Sequence, residues 1–132
     1  MSANKNFKNY RVLVVDDSDF ARAQLVALLS NSGFTVCGEA SNGDEALRQV
    51  RDKKPHLVLT DIVMPEMSGV ELAEKISTNY QQVGVIMVSS LHHEQIVLES
   101  IAAGAADFVP KPINPLQLTE AVEKYLTSIG AE

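Results

Sequence analysis

The sequence predicts an α/β fold, a doubly wound five-stranded parallel sheet built from five βα units. Three observations carry this. Short apolar runs rich in Val, Ile and Leu alternate with amphipathic stretches along the whole chain. The runs are apolar at every position, as in parallel strands covered on both faces, and do not alternate with polar residues. No linker, low-complexity segment or repeat of about 20–50 residues interrupts them. Five units are too few for an eight-stranded barrel, so the sheet is open.

The elements follow in order. Val12-Leu13-Val14-Val15 is a β-branched run that stops at Asp16-Asp17, the pattern of a buried parallel strand. Ser18 or Asp19 offers an N-cap, Ala21, Leu25, Leu28 and Leu29 recur at helical spacing, and Gly33 ends that helix. Phe34 to Ala40 reads as the second strand. Asn42-Gly43-Asp44 turns into a helix with Ala46, Leu47 and Val50 on one face. After Pro55, Leu57-Val58-Leu59 makes the third strand, which stops near Asp61. A loop, Met64 to Gly69, leads to a helix over Val70–Tyr80 with Leu72, Ala73 and Ile76 inward. Val83 to Val88 is the fourth strand, ending in Ser89-Ser90, and Glu94 to Ala103 the fourth helix, closed by Gly104. Phe108-Val109 is a short fifth strand before Lys111-Pro112. Asn114 then caps a last helix with Pro115 at its first position and Leu118, Val122 and Tyr125 or Leu126 facing inward.

Bulk properties bound the function. The chain's 132 residues form one expected domain, with its core over about 9–128. Such a domain buries roughly two-thirds of its unfolded surface and needs no disulfide or structural metal. The net charge of −6 disfavours contact with nucleic-acid backbones. A single cysteine excludes an intrachain disulfide, and Cys37 reads as a small buried hydrophobe. The N-terminus lacks the apolar core of a signal peptide, and no apolar run approaches the ~20 residues of a membrane span. A soluble cytoplasmic protein is expected.

Polar residues at the strand ends carry the chemistry. In an open α/β sheet, ligands bind beyond the carboxyl ends of the strands, at the switch point. In strand order 2-1-3-4-5 that point lies between strands one and three, so Asp16, Asp17 and Asp61 converge. Converging carboxylates repel unless a cation joins them. Mg²⁺ suits an all-oxygen site that also takes phosphate. Asp17 and Asp61 are the expected direct ligands, with the Val63 backbone carbonyl a candidate third and Asp16 acting through water. Asp61 is the candidate nucleophile for an aspartyl phosphate. Lys111 and the Ser89 hydroxyl are placed to meet the remaining phosphoryl oxygens. Each residue alone has a plain reading: a cap, a turn serine, a surface lysine. Their joint placement at the ends of four strands favours the functional one.

The segments Val12-Leu13-Val14-Val15-Asp16-Asp17-Ser18, Leu59-Thr60-Asp61-Ile62-Val63-Met64-Pro65, Met87-Val88-Ser89-Ser90 and Phe108-Val109-Pro110-Lys111-Pro112 resemble, in order and spacing, the receiver domain of two-component response regulators. The resemblance spans residues 9 to 128, and the stand-alone, CheY-like type is its best match. It implies a flavodoxin-like (βα)5 fold, Mg²⁺, and phosphoryl transfer to Asp61 from a sensor histidine kinase or phosphotransfer protein. It implies that Ser89 and Phe108 form a switch that reshapes the face of helix four, strand five and helix five for a downstream protein target. A cis bond before Pro112 is implied as well. The absence of a phenol hydroxyl at Phe108 departs from the tyrosine common there. The chain ends soon after the last helix, so output by protein contact is expected, from a monomer or weak dimer. A receiver of a longer regulator, such as a chemotaxis methylesterase or a transcription factor, would read alike.

Two other classes fit less well. A haloacid-dehalogenase-type phosphatase wants Asp-x-Asp after strand one, where this chain has Asp16-Asp17-Ser18. A dinucleotide-binding module wants a Gly-rich turn there, which is missing. Val63 and Leu91 stand two residues beyond Asp61 and Ser89; being apolar, neither can orient an attacking water, so slow self-dephosphorylation is expected. His92-His93 reads as a solvated turn, and Met64 and Met67 as loop packing residues.

Overall fold

The computed structural model describes residues 6–131. Five strands, β1 (Arg11–Val15), β2 (Thr35–Ala40), β3 (Leu57–Thr60), β4 (Gly84–Ser89) and β5 (Asp107–Pro110), alternate with five helices. The helices are α1 (Asp19–Asn31), α2 (Gly43–Lys53), α3 (Gly69–Asn79), α4 (Glu94–Ala102) and α5 (Pro115–Ser128). All strand pairs are parallel, in the order β2-β1-β3-β4-β5. The predicted sheet is therefore the observed one.

Period-two side-chain alternation splits the apolar strands between two cores. Val12, Val14, Leu57, Leu59, Ile86 and Val88 point to one face, where Leu25 and Leu29 of α1 and Leu118, Val122 and Leu126 of α5 cover them. Leu13, Val15, Val58, Val85 and Met87 point to the other, beneath Ala46 and Val50 of α2 and Leu72, Ala73 and Ile76 of α3. Ile96 of α4 packs at the edge of this second core. Burial on both faces is why these runs carry no polar alternation.

Each helix begins just beyond the carboxyl end of a strand with a side chain accepting a backbone N–H. Ser18, Asn42, Ser68, His93 and Asn114 bond the N–H groups of Ala21, Glu45, Glu71, Ile96 and Gln117. Ser18, not Asp19, is thus the first cap, and Asn42 caps a helix where the sequence suggested only a turn. His93 is exposed and serves as the cap of α4, its Nδ1 accepting at 3.4 Å.

Several boundaries shift by a residue. Phe34 lies outside β2: it is buried and packs on Phe7, ring centroids 5.1 Å apart. β4 starts at Gly84 and includes Ser89, whose carbonyl accepts from Lys111 N–H and so continues the ladder to β5. Cys37 is only half-buried, because β2 is an edge strand and its register to β1 skips that residue, pairing Val12 with Val36 and Leu13 with Gly38. Burial still pushes the thiol pKa up, against the opposing charges of Lys53 and Arg11. Met64 and Met67 are buried loop residues, as expected. The Lys111–Pro112 bond is cis. Among the described residues no helix is long and apolar enough to cross a membrane.

Candidate functional site

The ends of β1 and β3 are neighbours, and Asp61 N–H donates to the Val15 carbonyl at 3.1 Å, carrying the ladder one residue past the strand. This brings three carboxylates together. Oxygens of Asp16, Asp17 and Asp61 lie within 4.8 Å of one another. Asp16 is fully buried, Asp61 partly, and Asp17 is exposed.

Lys111 closes the cluster from the end of β5. Its Nζ donates to Asp16 Oδ2 at 2.9 Å and to Asp61 Oδ2 at 3.2 Å. Burial alone would lower the ammonium pKa, but the hydrogen bond to Asp16 and the charges of Asp61 and Asp16 outweigh it and raise it. Lys111 is therefore held in its cationic form more firmly than a free lysine. The other carboxylate oxygens of Asp16 and Asp61 accept backbone N–H groups, Oδ1 of Asp16 from Ser18 at 2.9 Å and Oδ1 of Asp61 from Ile62 at 2.6 Å.

The donor set fits a divalent hard cation. It offers oxygens only, at a spacing close to that of ligands around one ion. Three carboxylates against one ammonium leave a formal excess of two negative charges, which one divalent ion would balance.

The other predicted residues sit around this cluster. Ser89 is buried at the end of β4, its Oγ accepting the Leu91 N–H at 3.1 Å. Phe108 is half-buried against the second core, opposite Met87 in the β4–β5 register. Val63 is 57% and Leu91 40% exposed, so both apolar side chains rim the loops without filling a core. Pro112 is exposed.

Three residues that sequence reasoning passed over also shape the site. Gly69 opens α3 directly behind Asp61: a Cβ there would run into the Asp61 carbonyl and Ile62 Cα. Its N–H donates to the Ile62 carbonyl at 2.8 Å, closing the β3–α3 loop. Thr60 Oγ1 donates to the Asp61 carbonyl at 2.9 Å. Arg22, on α1, donates to the Asp16 carbonyl at 2.8 Å. A glycine after a serine in a loop hinted at the first; the other two had no local signal.

Comparison with known proteins identifies the family and the fold. The family model for the response regulator receiver domain matches residues 12–123. The chemotaxis protein CheY of Thermotoga maritima is 40% identical over 114 residues, covering 86% of this chain and 95% of that protein. The protein-glutamate methylesterase/protein-glutamine glutaminase of Bacillus licheniformis is 39% identical over 89% of this chain, which spans 35% of that enzyme. A chain of the CheX–CheY–BeF3–Mg²⁺ complex from Borrelia burgdorferi superposes with a TM-score of 0.85 at 31% identity, covering 89% of each chain. The chain belongs to the response regulator receiver domain family, and its fold and sequence are of the CheY type.

Proposed function

We propose that Asp61 is the phosphoryl acceptor and that Asp16, Asp17 and Asp61 hold the Mg²⁺ that the transfer needs. The observation that carries this is the cluster itself: three carboxylates within 4.8 Å, with one ammonium against two of them. Asp17 and Asp61 would hold the ion directly, with the Val63 carbonyl a third ligand, and Asp16 would act through a water.

The step is an in-line displacement. An Asp61 oxygen attacks phosphorus, the bond from phosphorus to the donor breaks, and the leaving group departs with its electron pair. With a phosphohistidine donor the leaving nitrogen takes a proton, and the product is an acyl phosphate on Asp61. A bound Mg²⁺ supplies charge neutralisation to a phosphoryl oxygen. Lys111, freed from sharing the Asp61 carboxylate, neutralises a second oxygen. The Ser89 hydroxyl accepts its present bond from Leu91 N–H and keeps its own proton to donate to a third.

Movement of Ser89 toward the phosphoryl group vacates space beside β5, and Phe108, on that strand, turns inward. The face of α4, β5 and α5 is thereby remodelled for a protein target. Leu98 and Ile101 of α4 are exposed apolar residues that such a target could cover. The readout cannot use a phenol hydrogen bond at Phe108. A histidine kinase or phosphotransfer protein is the donor, and the chain turns over no substrate beyond its own phosphoryl group.

Intact mass after incubation with acetyl phosphate tests the reading. The expected result is one added phosphoryl group that requires both Mg²⁺ and Asp61. An adduct that survives Asp61→Asn, or none on the wild type, overturns it. Steady turnover of phosphate monoesters would point instead to a phosphatase. The match to a methylesterase favours a second context for the same chemistry, a receiver within a longer regulator; the mass of the native protein from cells separates the two.

A further inference from the structure

We infer that Arg22 is a positioning residue for the loop carrying Asp16 and Asp17, and that it sets the protein's affinity for a divalent cation. The inference rests on the reading of Asp16, Asp17 and Asp61 as the metal-holding cluster.

The loop between β1 and α1 is only Asp16, Asp17 and Ser18. Asp16 is held at every polar atom. Its N–H donates to the Ala40 carbonyl at 3.1 Å, Oδ1 accepts from Ser18 N–H, and Oδ2 accepts from Lys111. The remaining atom, its carbonyl oxygen, accepts from Arg22 Nη1 at 2.8 Å. That carbonyl belongs to the peptide joining Asp16 to Asp17. Its orientation decides the direction in which the Asp17 side chain leaves the backbone. Asp17 is exposed and has little else to place it.

The guanidinium is itself fixed from two further sides. Nη2 meets Asp19 Oδ1 at 2.7 Å and Nε meets Glu39 Oε1 at 3.1 Å, and the side chain is 16% exposed. Arg22 thus ties α1 to the ends of β1 and β2. Asp19 is 92% exposed, so its pair adds little stability. Its effect is to hold the fork in the orientation that reaches the Asp16 carbonyl. Lysine carries its three donors on one nitrogen and cannot reach acceptors that are met here by three separate nitrogens of a rigid planar fork.

Position and charge make opposite demands here, which makes the inference testable. Arg22 is a cation beside an acidic cluster, so Coulomb's law alone says that its removal tightens cation binding. Positioning says that removal weakens it, by about tenfold on the scale of residues that orient metal ligands. Arg22→Lys keeps the charge and loses the geometry.

The experiment is calorimetric titration of Mg²⁺ into purified wild type, Arg22→Gln, Arg22→Lys and Asp17→Asn, with no phosphodonor present. Both Arg22 variants are expected to bind about tenfold more weakly. In acetyl phosphate reactions they should need more Mg²⁺ for half-maximal rate, with the rate at saturating Mg²⁺ preserved. Thermal unfolding checks that each variant folds, and Arg22→Lys carries the test if Arg22→Gln does not. Wild-type affinity in Arg22→Lys, together with equal or tighter binding in Arg22→Gln, overturns the inference alone. Absence of Mg²⁺ binding by the wild type, or full binding by Asp17→Asn, overturns the cluster reading beneath it.

Discussion

Replacing Asp61 by asparagine should barely change the stability of the metal-free protein, although it removes a partly buried ion pair. Asp61 Oδ2 lies 3.2 Å from the Lys111 ammonium. At an effective dielectric constant of about 20 that attraction is about 5 kcal/mol. The same carboxylate faces Asp16, with ligand oxygens no more than 4.8 Å apart. That repulsion is at least about 3.5 kcal/mol on the same scale. Asp17 adds a smaller repulsion, since it is exposed and screened by solvent and salt. The opposing contributions nearly cancel. Asparagine also keeps an oxygen for the Ile62 N–H, which Asp61 Oδ1 now accepts at 2.6 Å. In EDTA the variant is expected to lie within about 1 kcal/mol of the wild type, or about 4 °C in Tm. Mg²⁺ then separates them: at ten times its Kd an ion stabilises the protein that binds it by about 1.4 kcal/mol. The wild type should rise by that amount and the variant by much less. Urea and thermal unfolding with and without Mg²⁺ measure both. A loss of about 3 kcal/mol or more in EDTA would mean that the Lys111 pair dominates and the charge balance is wrong. Equal stabilisation of both proteins by Mg²⁺ would remove Asp61 from the ligand set.

Three other outcomes are expected. Gly69→Ala forces a Cβ into the Asp61 carbonyl and should cost about 2 kcal/mol in urea unfolding while slowing phosphorylation by acetyl phosphate; a neutral result on both counts would show that the loop yields freely. His56 accepts the Arg11 N–H on Nδ1 at 3.0 Å, and burial followed by the Arg11 charge lowers its pKa from about 6.5. A lowered histidine gives stability that is complete above the unfolded value and is lost as pH falls through the folded one. The Tyr10 ring, 4.9 Å away, adds no anion to oppose this. The wild type should therefore lose stability relative to His56→Gln between pH 7 and 5, and parallel pH profiles would refute the coupling. Finally, Val63 and Leu91 offer an attacking water no polar group, so the phosphoryl group should last minutes or longer in Mg²⁺; a half-life of seconds by mass or radiolabel would contradict that.

Much of this was legible in the chain because it is local. A strand buried on both faces has to be apolar at every position, so Val12–Val15 and Leu57–Leu59 announced themselves, and the order of the sheet followed from strict alternation with helices. Caps need a small polar side chain at one backbone position, which marked Ser18 and Asn114. The acidic residues stood out because each ended an apolar run. Placement at the strand ends joined Asp61 to Ser89 and Lys111, and the family resemblance added Phe108.

What the tertiary structure decided is which distant groups meet, and at what angle. Lys111 lies 95 residues from Asp16 and 50 from Asp61, yet its single ammonium bonds both carboxylates. Edge position, not composition, left Cys37 half-buried. Gly69 looked like loop punctuation until the backbone of Asp61 was seen against its Cα. Arg22 carried no signal in the sequence, and its bond to the Asp16 carbonyl, six residues back, depends on the turn that the Asp16–Ser18 loop makes into α1. Side-chain periodicity determines which face of an element is buried. The contacts between faces come from packing whole elements against one another, and no stretch of sequence encodes those by itself.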